Sequence, residues 1–339
     1  MFEKNIEKWY NIHNSKERSY LILFKYTNSM LKYALKRIVL IFFTLFIILS
    51  ITFILMKKVP RPQKMDPNLT KEQWELMEAK YGYDKPVFEQ YLIWLKLIVT
   101  KWDWGVSTVY RAGVSTWKLM ATRFVVNIKI NIWATLISVP LGILIGCLIA
   151  LKKNGFADQF VMVASLIFSS IPSFVIITFM MLGAKYVGLE QQWPKSDEIT
   201  WKSYIIPVTA LAIGPIGGYT RLVRNELSEV LTSDFVLLAR TKGLTTAQTI
   251  SRHAFRNAMV IYIPSIFGEI IGLLGGSLVL ERIYGIPGIG DLFLTGINMQ
   301  DYNIVMTFLA FEVLINLGFG LFADLMYGVV DPRIRVGER

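Results

Sequence analysis

INIWATLISVPLGILIGCLIALKKNGFADQFVMVASLIFSSIPSFVIITFMMLGA, residues 130–184, holds two charge-free runs, Ile130 to Leu151 and Gln159 to Ala184, with the basic turn Lys152-Lys153-Asn154-Gly155 between them. A helix rising about 1.5 Å per residue needs roughly 20 apolar residues to cross the hydrocarbon core. Each run is long enough. The pair reads as a helical hairpin with its turn in water, and the chain as an all-α polytopic membrane protein.

The same reading extends outward. Ile38 to Met56 is uncharged and spans; Ser203 to Thr220 is a fourth crossing, kinked by Pro207, Pro215 and the glycines around them. Asn257 to Leu280 is broken only by Glu269, and Tyr302 to Val330 only by Glu312 and Asp324. Six transmembrane helices are expected. Composition agrees, since 53% hydrophobic and 18% charged residues are too apolar for a soluble domain of this length.

The net charge of +11 does not point to nucleic acid, because the cations gather beside the apolar runs. They read as topology signals. Lys152, Lys153, Arg221, Arg224, Arg240, Lys242, Arg252 and Arg256 outweigh Lys185, Lys195, Lys202 and Arg282, which puts both termini in the cytoplasm. The segment from Lys57 to Arg123 then lies outside, where Trp74, Trp94, Trp102, Trp104 and Trp117 supply aromatic surface for the membrane interface.

No Gly-x-x-x-x-Gly-Lys-Ser/Thr loop, His-Glu-x-x-His or Gly-x-Ser-x-Gly element occurs, so no catalytic residue is assigned and the chain reads as no enzyme. One cysteine, Cys147, and two histidines leave no metal cluster, and Cys147 reads as a small packing residue. Glu269 and Glu312 fall at similar depths in their spans, which suggests either a polar patch lining a pathway or hydrogen bonds between helices. Gly142-Ile-Leu-Ile-Gly146 and Gly268-Glu-Ile-Ile-Gly272 have the spacing of close helix packing.

Between the fourth and fifth runs stands DFVLLARTKGLTTAQTISRHAFRNA, Asp234 to Ala258. Asp234 can cap a short helix with Phe235, Val236, Leu238 and Ala239 on one side, and Gly243 suits the left-handed residue past its end. Thr245 and Gln248 match a capping box that starts a second helix. The first helix is too short to persist alone in water, so its apolar side packs either on its own membrane domain or in a groove of another protein.

This stretch resembles the cytoplasmic coupling loop of ATP-binding-cassette importer permeases of the dipeptide, oligopeptide and nickel group. YGYDKPVFEQYLIWL in the outer segment, GGSLVLERIYGIPGIGDLF after the fifth run and DLMYGVVDPRIR near the end resemble the same group. The likeness runs from about Lys36 to Arg335 and is nearest to the first of the two oligopeptide permease subunits.

The resemblance implies a type I importer transmembrane domain over 124–332 with a coupling loop at 221–257. It also implies a cytoplasmic extension at 1–33, a first helix with a long outer segment at 34–123, and a cytoplasmic tail at 333–339. A second permease subunit, two ATPase subunits that hold ATP and magnesium, and an external binding protein are implied as partners. This chain itself carries no cofactor. Peptide is the implied substrate, with nickel or another small solute as the alternative, and a bacterial cytoplasmic membrane the location. An ion-coupled secondary transporter is the rival class; no internal repeat favours it.

The ATPase-coupling residues implied are Asp234, Leu238, Ala239, Arg240, Thr241, Lys242, Gly243 and Leu244. The wider family's Glu-Ala-Ala is replaced by Leu237-Leu238-Ala239, which leaves Arg240 or Lys242 to supply a charge pair. Tyr284, Pro287, Gly288 and Gly290 fall at the outer gate or the binding-protein face.

Overall fold

The computed structural model describes residues 35–58, 70–250, 255, 265, 266, 268, 269 and 277–330. Four helices are long and apolar enough to cross a membrane: α1 (Leu35–Lys58), α4 (Thr116–Ala150), α7 (Ile205–Val230, entered through a 3-10 turn from Trp201) and α12 (Tyr302–Val330). A fifth candidate is a bent pair, α5 (Phe156–Ser170) and α6 (Ser173–Ala184). Of the expected run Asn257 to Leu280, most lies outside the described residues. Among the described residues there is no strand, only an isolated antiparallel bridge between Val106 and Ser115.

Two of the expected spans take a different form. The run Gln159 to Ala184 is not one straight helix: α5 and α6 meet at 93°. Pro172 has no N–H for the ladder, and the residue before a proline is pushed from helical to extended backbone, as Ile171 is at φ −81°, ψ 121°. Conversely, helix α7 continues without a break through Pro215 and past Thr220 to Val230. Residues 221–230 therefore belong to the helix and not to a loop. Helix α4 is 35 residues, about 52 Å, so it projects well beyond a hydrocarbon core of about 30 Å.

Helix α7 is the centre of the packing, flanked by α4, α5 and α6. Glycines let the backbones meet. A Cβ on Gly142 would come within 2.5 Å of Tyr219 Cβ, one on Gly146 within 2.8 Å of Thr220 O, and one on Gly217 within 2.7 Å of Ser165 O. The first small-residue pair singled out in the sequence is thus a seam between α4 and α7. Cys147 packs at the same seam beside Val223 and Leu227.

The segment between α1 and α4 forms α2 (Lys71–Tyr81) and α3 (Val87–Lys101), and α3 packs on α1 and the start of α12. Trp94 and Trp104 are buried there with Leu49, Phe53, Met306 and Ala310. Those two rings are core and not interface surface, a correction to the expected aromatic belt; Trp102 stays exposed and stacks edge-on with Trp104 and Trp117. Lys80 Nζ donates to Asp103 Oδ2 at 2.7 Å, tying α2 to the end of α3. Partial burial pushes the Asp103 carboxyl up, but the bonds from Lys80 and the Gly105 N–H outweigh it and hold the group below its ordinary value.

Candidate functional site

Helix α8 (Asp234–Thr241) follows α7 after a turn. Its N-cap is Ser233 and not Asp234; Ser233 Oγ bonds back to Val230 O, and Asp234 is the first-turn acid that favours the positive end of the helix. At the far end Gly243 has φ +85°, its N–H donates to Arg240 O at 3.0 Å, and the Leu244 N–H reaches Ala239 O at 3.3 Å. That pair of bonds is a Schellman motif. The predicted box follows, with Thr245 N to Gln248 Oε1 at 3.0 Å and Gln248 N to Thr245 Oγ1 at 3.3 Å. Helix α9 (Thr246–Thr249) starts there.

The apolar side of α8 divides in two. Val236 and Ala239 are buried, and Val236 packs on Ala150 and Leu227 at the C-terminal ends of α4 and α7. Phe235, Leu237 and Leu238 are 44%, 49% and 57% exposed, beside exposed Arg240, Thr241 and Lys242. One helix therefore rests on its own membrane domain and offers a second apolar face with a basic end outward.

The turn after Leu280 is built around a carboxylate that no apolar run in the sequence marks. Helix α10 (Leu278–Tyr284) ends at Gly285 in the left-handed region, and α11 (Ile289–Asn298) follows. Glu281, 3% exposed, accepts from Asn127 Nδ2 at 2.7 Å and from the N–H groups of Ser277 at 3.0 Å and Asp291 at 2.9 Å. Asn127 Oδ1 in turn accepts from the Ile289 N–H at 3.0 Å. Burial pushes the Glu281 carboxyl above its usual value, and these donors, with the Gly290 N–H, pull against that rise.

Gly288 and Gly290 stand where they do because this network leaves no room: a Cβ on Gly288 would collide with Glu281 Oε2 and Asn127 Oδ1. Tyr284 is buried, and its hydroxyl donates to Glu190 O at 3.0 Å. Tyr284, Gly288 and Gly290 thus lie inside the turn and Pro287 at its partly covered edge. Asp291 meets Arg123 at 3.3 Å and Arg282 at 2.8 Å.

Glu269 accepts from Ser138 Oγ of α4 at 3.2 Å, with Tyr219 of α7 against the same carboxylate. Glu312 accepts from Asn316 Nδ2 one turn along α12 at 2.7 Å. The two acids share no partner among the described residues. The side chain of Asp324 and the residue Gly272 lie outside them, and no group of three or more potential metal ligands occurs within them.

A second carboxylate ties residues 107–110 to the start of α12. Asp301, fully buried just before α12, accepts on Oδ2 from Ser107 Oγ at 2.6 Å and from the N–H groups of Thr108, Val109 and Tyr110 at 3.0, 3.0 and 3.1 Å. Three successive backbone donors converging on one oxygen form an anion nest. Neither Glu281 nor Asp301 lies in an apolar run, so the search for intramembrane charge could not flag them.

Residues 139–336 match the family described as binding-protein-dependent transport system inner membrane component, and residues 30–138 its N-terminal counterpart. The dipeptide transport system permease protein DppB of Lactococcus lactis subsp. cremoris is 36% identical over 308 residues, covering 91% of this chain and 100% of the relative. The protein of the same name in Bacillus subtilis is 33% identical over 314 residues, with 91% and 100% covered. The oligopeptide transport system permease protein OppB of Haemophilus influenzae is 33% identical over 311 residues, with 90% and 100% covered. A polytopic helical chain matched from its first span through its last one belongs to the family of binding-protein-dependent transport system inner membrane components.

Proposed function

We propose that this chain is one of two different permease subunits of an ATP-binding-cassette importer that carries dipeptides or oligopeptides across the cytoplasmic membrane. The match along the full length of relatives named for dipeptide and oligopeptide transport carries the reading. In this reading both termini are cytoplasmic. Two separate ATPase subunits hold the ATP and magnesium, and an external binding protein delivers the peptide near the turn of Tyr284, Pro287, Gly288 and Gly290.

Helix α8 is then the element that the ATPase grips. Its outward face of Phe235, Leu237 and Leu238 and its basic end at Arg240 and Lys242 suit an apolar groove with an acidic rim. Val236 and Ala239 face the membrane domain, so a push on α8 is delivered to the ends of α4 and α7. The permease needs no chemistry on the substrate; a two-state rearrangement biased by nucleotide suffices. Glu269 and Glu312 are candidate pathway groups in the same scheme.

The test is uptake of labelled di- and oligopeptides into proteoliposomes holding the assembled transporter and its binding protein. Uptake is expected with ATP and not with a non-hydrolysable analogue. Uptake that ignores ATP and follows an ion gradient would refute the reading.

A further inference from the structure

We propose that Asp158 and Arg224 are positioning residues that make α5 move together with α7 and α8, carrying motion of the docking helix to the bend at Ile171–Pro172. The proposal rests on the transport reading above. Arg224 grips Asp158 with two nitrogens: Nε donates to Oδ1 at 2.9 Å and Nη2 to Oδ2. Asp158 is 1% exposed. Its Oδ2 also accepts from the N–H of Asn154 at 2.8 Å, so the same carboxylate pins the turn between α4 and α5.

One turn further into the membrane, Arg221 Nη1 donates to Ser165 O at 2.7 Å and to Ser169 Oγ at 2.8 Å. Another turn on, Gly217 lies against Ser165 O. Positions 217, 221 and 224 share one face of α7, and all three hold α5. Beside these contacts an open, largely apolar groove of about 340 Å³ runs along α4, α5 and α7 at Val161, Phe168 and Ile216.

Apolar packing alone would let α5 slide or swing across that space. A bidentate Arg–carboxylate pair fixes direction as well as distance. A buried ion pair is often no more stabilising than apolar residues of similar size, so orientation is the reason for this one. One turn past Arg224, at the C-terminal end of α7, Val236 of α8 rests on Leu227. The chain of contacts therefore runs from α8 through Leu227, Arg224 and Arg221 to the last turn of α5, next to the bend.

The assembled transporter, with its ATPases and binding protein in proteoliposomes, supplies the test. In Asp158→Asn, ATP hydrolysis is expected to continue while peptide taken up per ATP falls roughly tenfold, the scale of a lost coupling free energy. Uptake per ATP equal to that of the natural protein would overturn the proposal. If Asp158→Asn fails to assemble, the double variant Asp158→Leu/Arg224→Met removes both charges together. It is expected to assemble and remain uncoupled, and normal coupling in it would overturn the proposal.

A second measurement needs no substrate. Spin labels at the exposed positions Phe160 on α5 and Glu229 on α7 should keep their separation to within about 2 Å between nucleotide-free and nucleotide-trapped states, as in one rigid body. A larger change would overturn the strut. Absent ATP-dependent uptake in the natural protein, together with a constant label distance, would instead reject the transport reading and leave the rigid block standing.

Discussion

At the residue scale, Gly243 and Glu281 carry opposite kinds of constraint. No atom lies within 4 Å of a Cβ built on Gly243, so only its φ of +85° restricts it. Left-handed backbone costs an ordinary residue roughly 1–2 kcal/mol, and a β-branched one more. Gly243→Val should leave the protein in the membrane but lose ATPase co-purification and uptake, while Gly243→Asn keeps both; normal uptake by the valine variant would show that the turn is not used. Glu281 is constrained by its partners. Glu281→Ala orphans Asn127 Nδ2 and the N–H groups of Ser277 and Asp291, and losing buried bonds to a charged group costs about 1.5–3 kcal/mol each. A clear drop in thermal stability in detergent is expected, with Glu281→Gln intermediate. The glycine was legible in the sequence because a helix with a terminating glycine is a local pattern. The glutamate was not, since beside the nearby Ser277 N–H its donors include Asn127, 154 positions away along the chain, and the turn after it.

At the element scale, the α4–α7 seam and the α5–α6 break decide the shape of the bundle. Gly146→Leu would drive a side chain into Val223 Cβ, 2.7 Å from a Cβ, and the backbone of Thr220. Overpacking of this kind costs about 1–3 kcal/mol. The yield and melting temperature of the inserted protein should fall, whereas Gly183→Leu, with nothing within 4 Å, should change neither. Equal behaviour of the two would mean the helices separate freely. The glycine spacing at 142 and 146 announced a close approach; which helix approaches was settled only by the fold. Prolines were less readable. Pro172 breaks its helix and Pro215 does not, because a proline in a membrane helix is tolerated wherever neighbouring protein supports the freed backbone.

At the scale of the whole molecule, the segment between α1 and α4 is fastened by charges and rings. Asp103 and Lys80 join α2 to α3, while Asp301 holds the 107–110 turn to the start of α12. Asp301→Ala should expose that turn to protease in intact proteoliposomes; unchanged cleavage would show that the nest is dispensable. For Asp103 the sign follows from its lowered value. The folded state binds the proton less tightly than the unfolded chain, so the pair adds stability above about pH 3.9, the free carboxylate value, and loses it below. The melting-temperature gap between the natural protein and Asp103→Asn should be constant near neutrality and close as pH falls through that range. A gap that persists at low pH would assign the effect to packing instead. By itself the sequence determined the helical membrane class, the short helix ending at Gly243 with the capping box after it, and the family likeness, because apolar run length, capping residues and motif order are local along the chain. Only the tertiary structure decided which glycines touch, which proline breaks its helix, and where Glu281, Asp301 and Asp158 find their partners, because those energies come from groups far apart in sequence meeting where water is excluded.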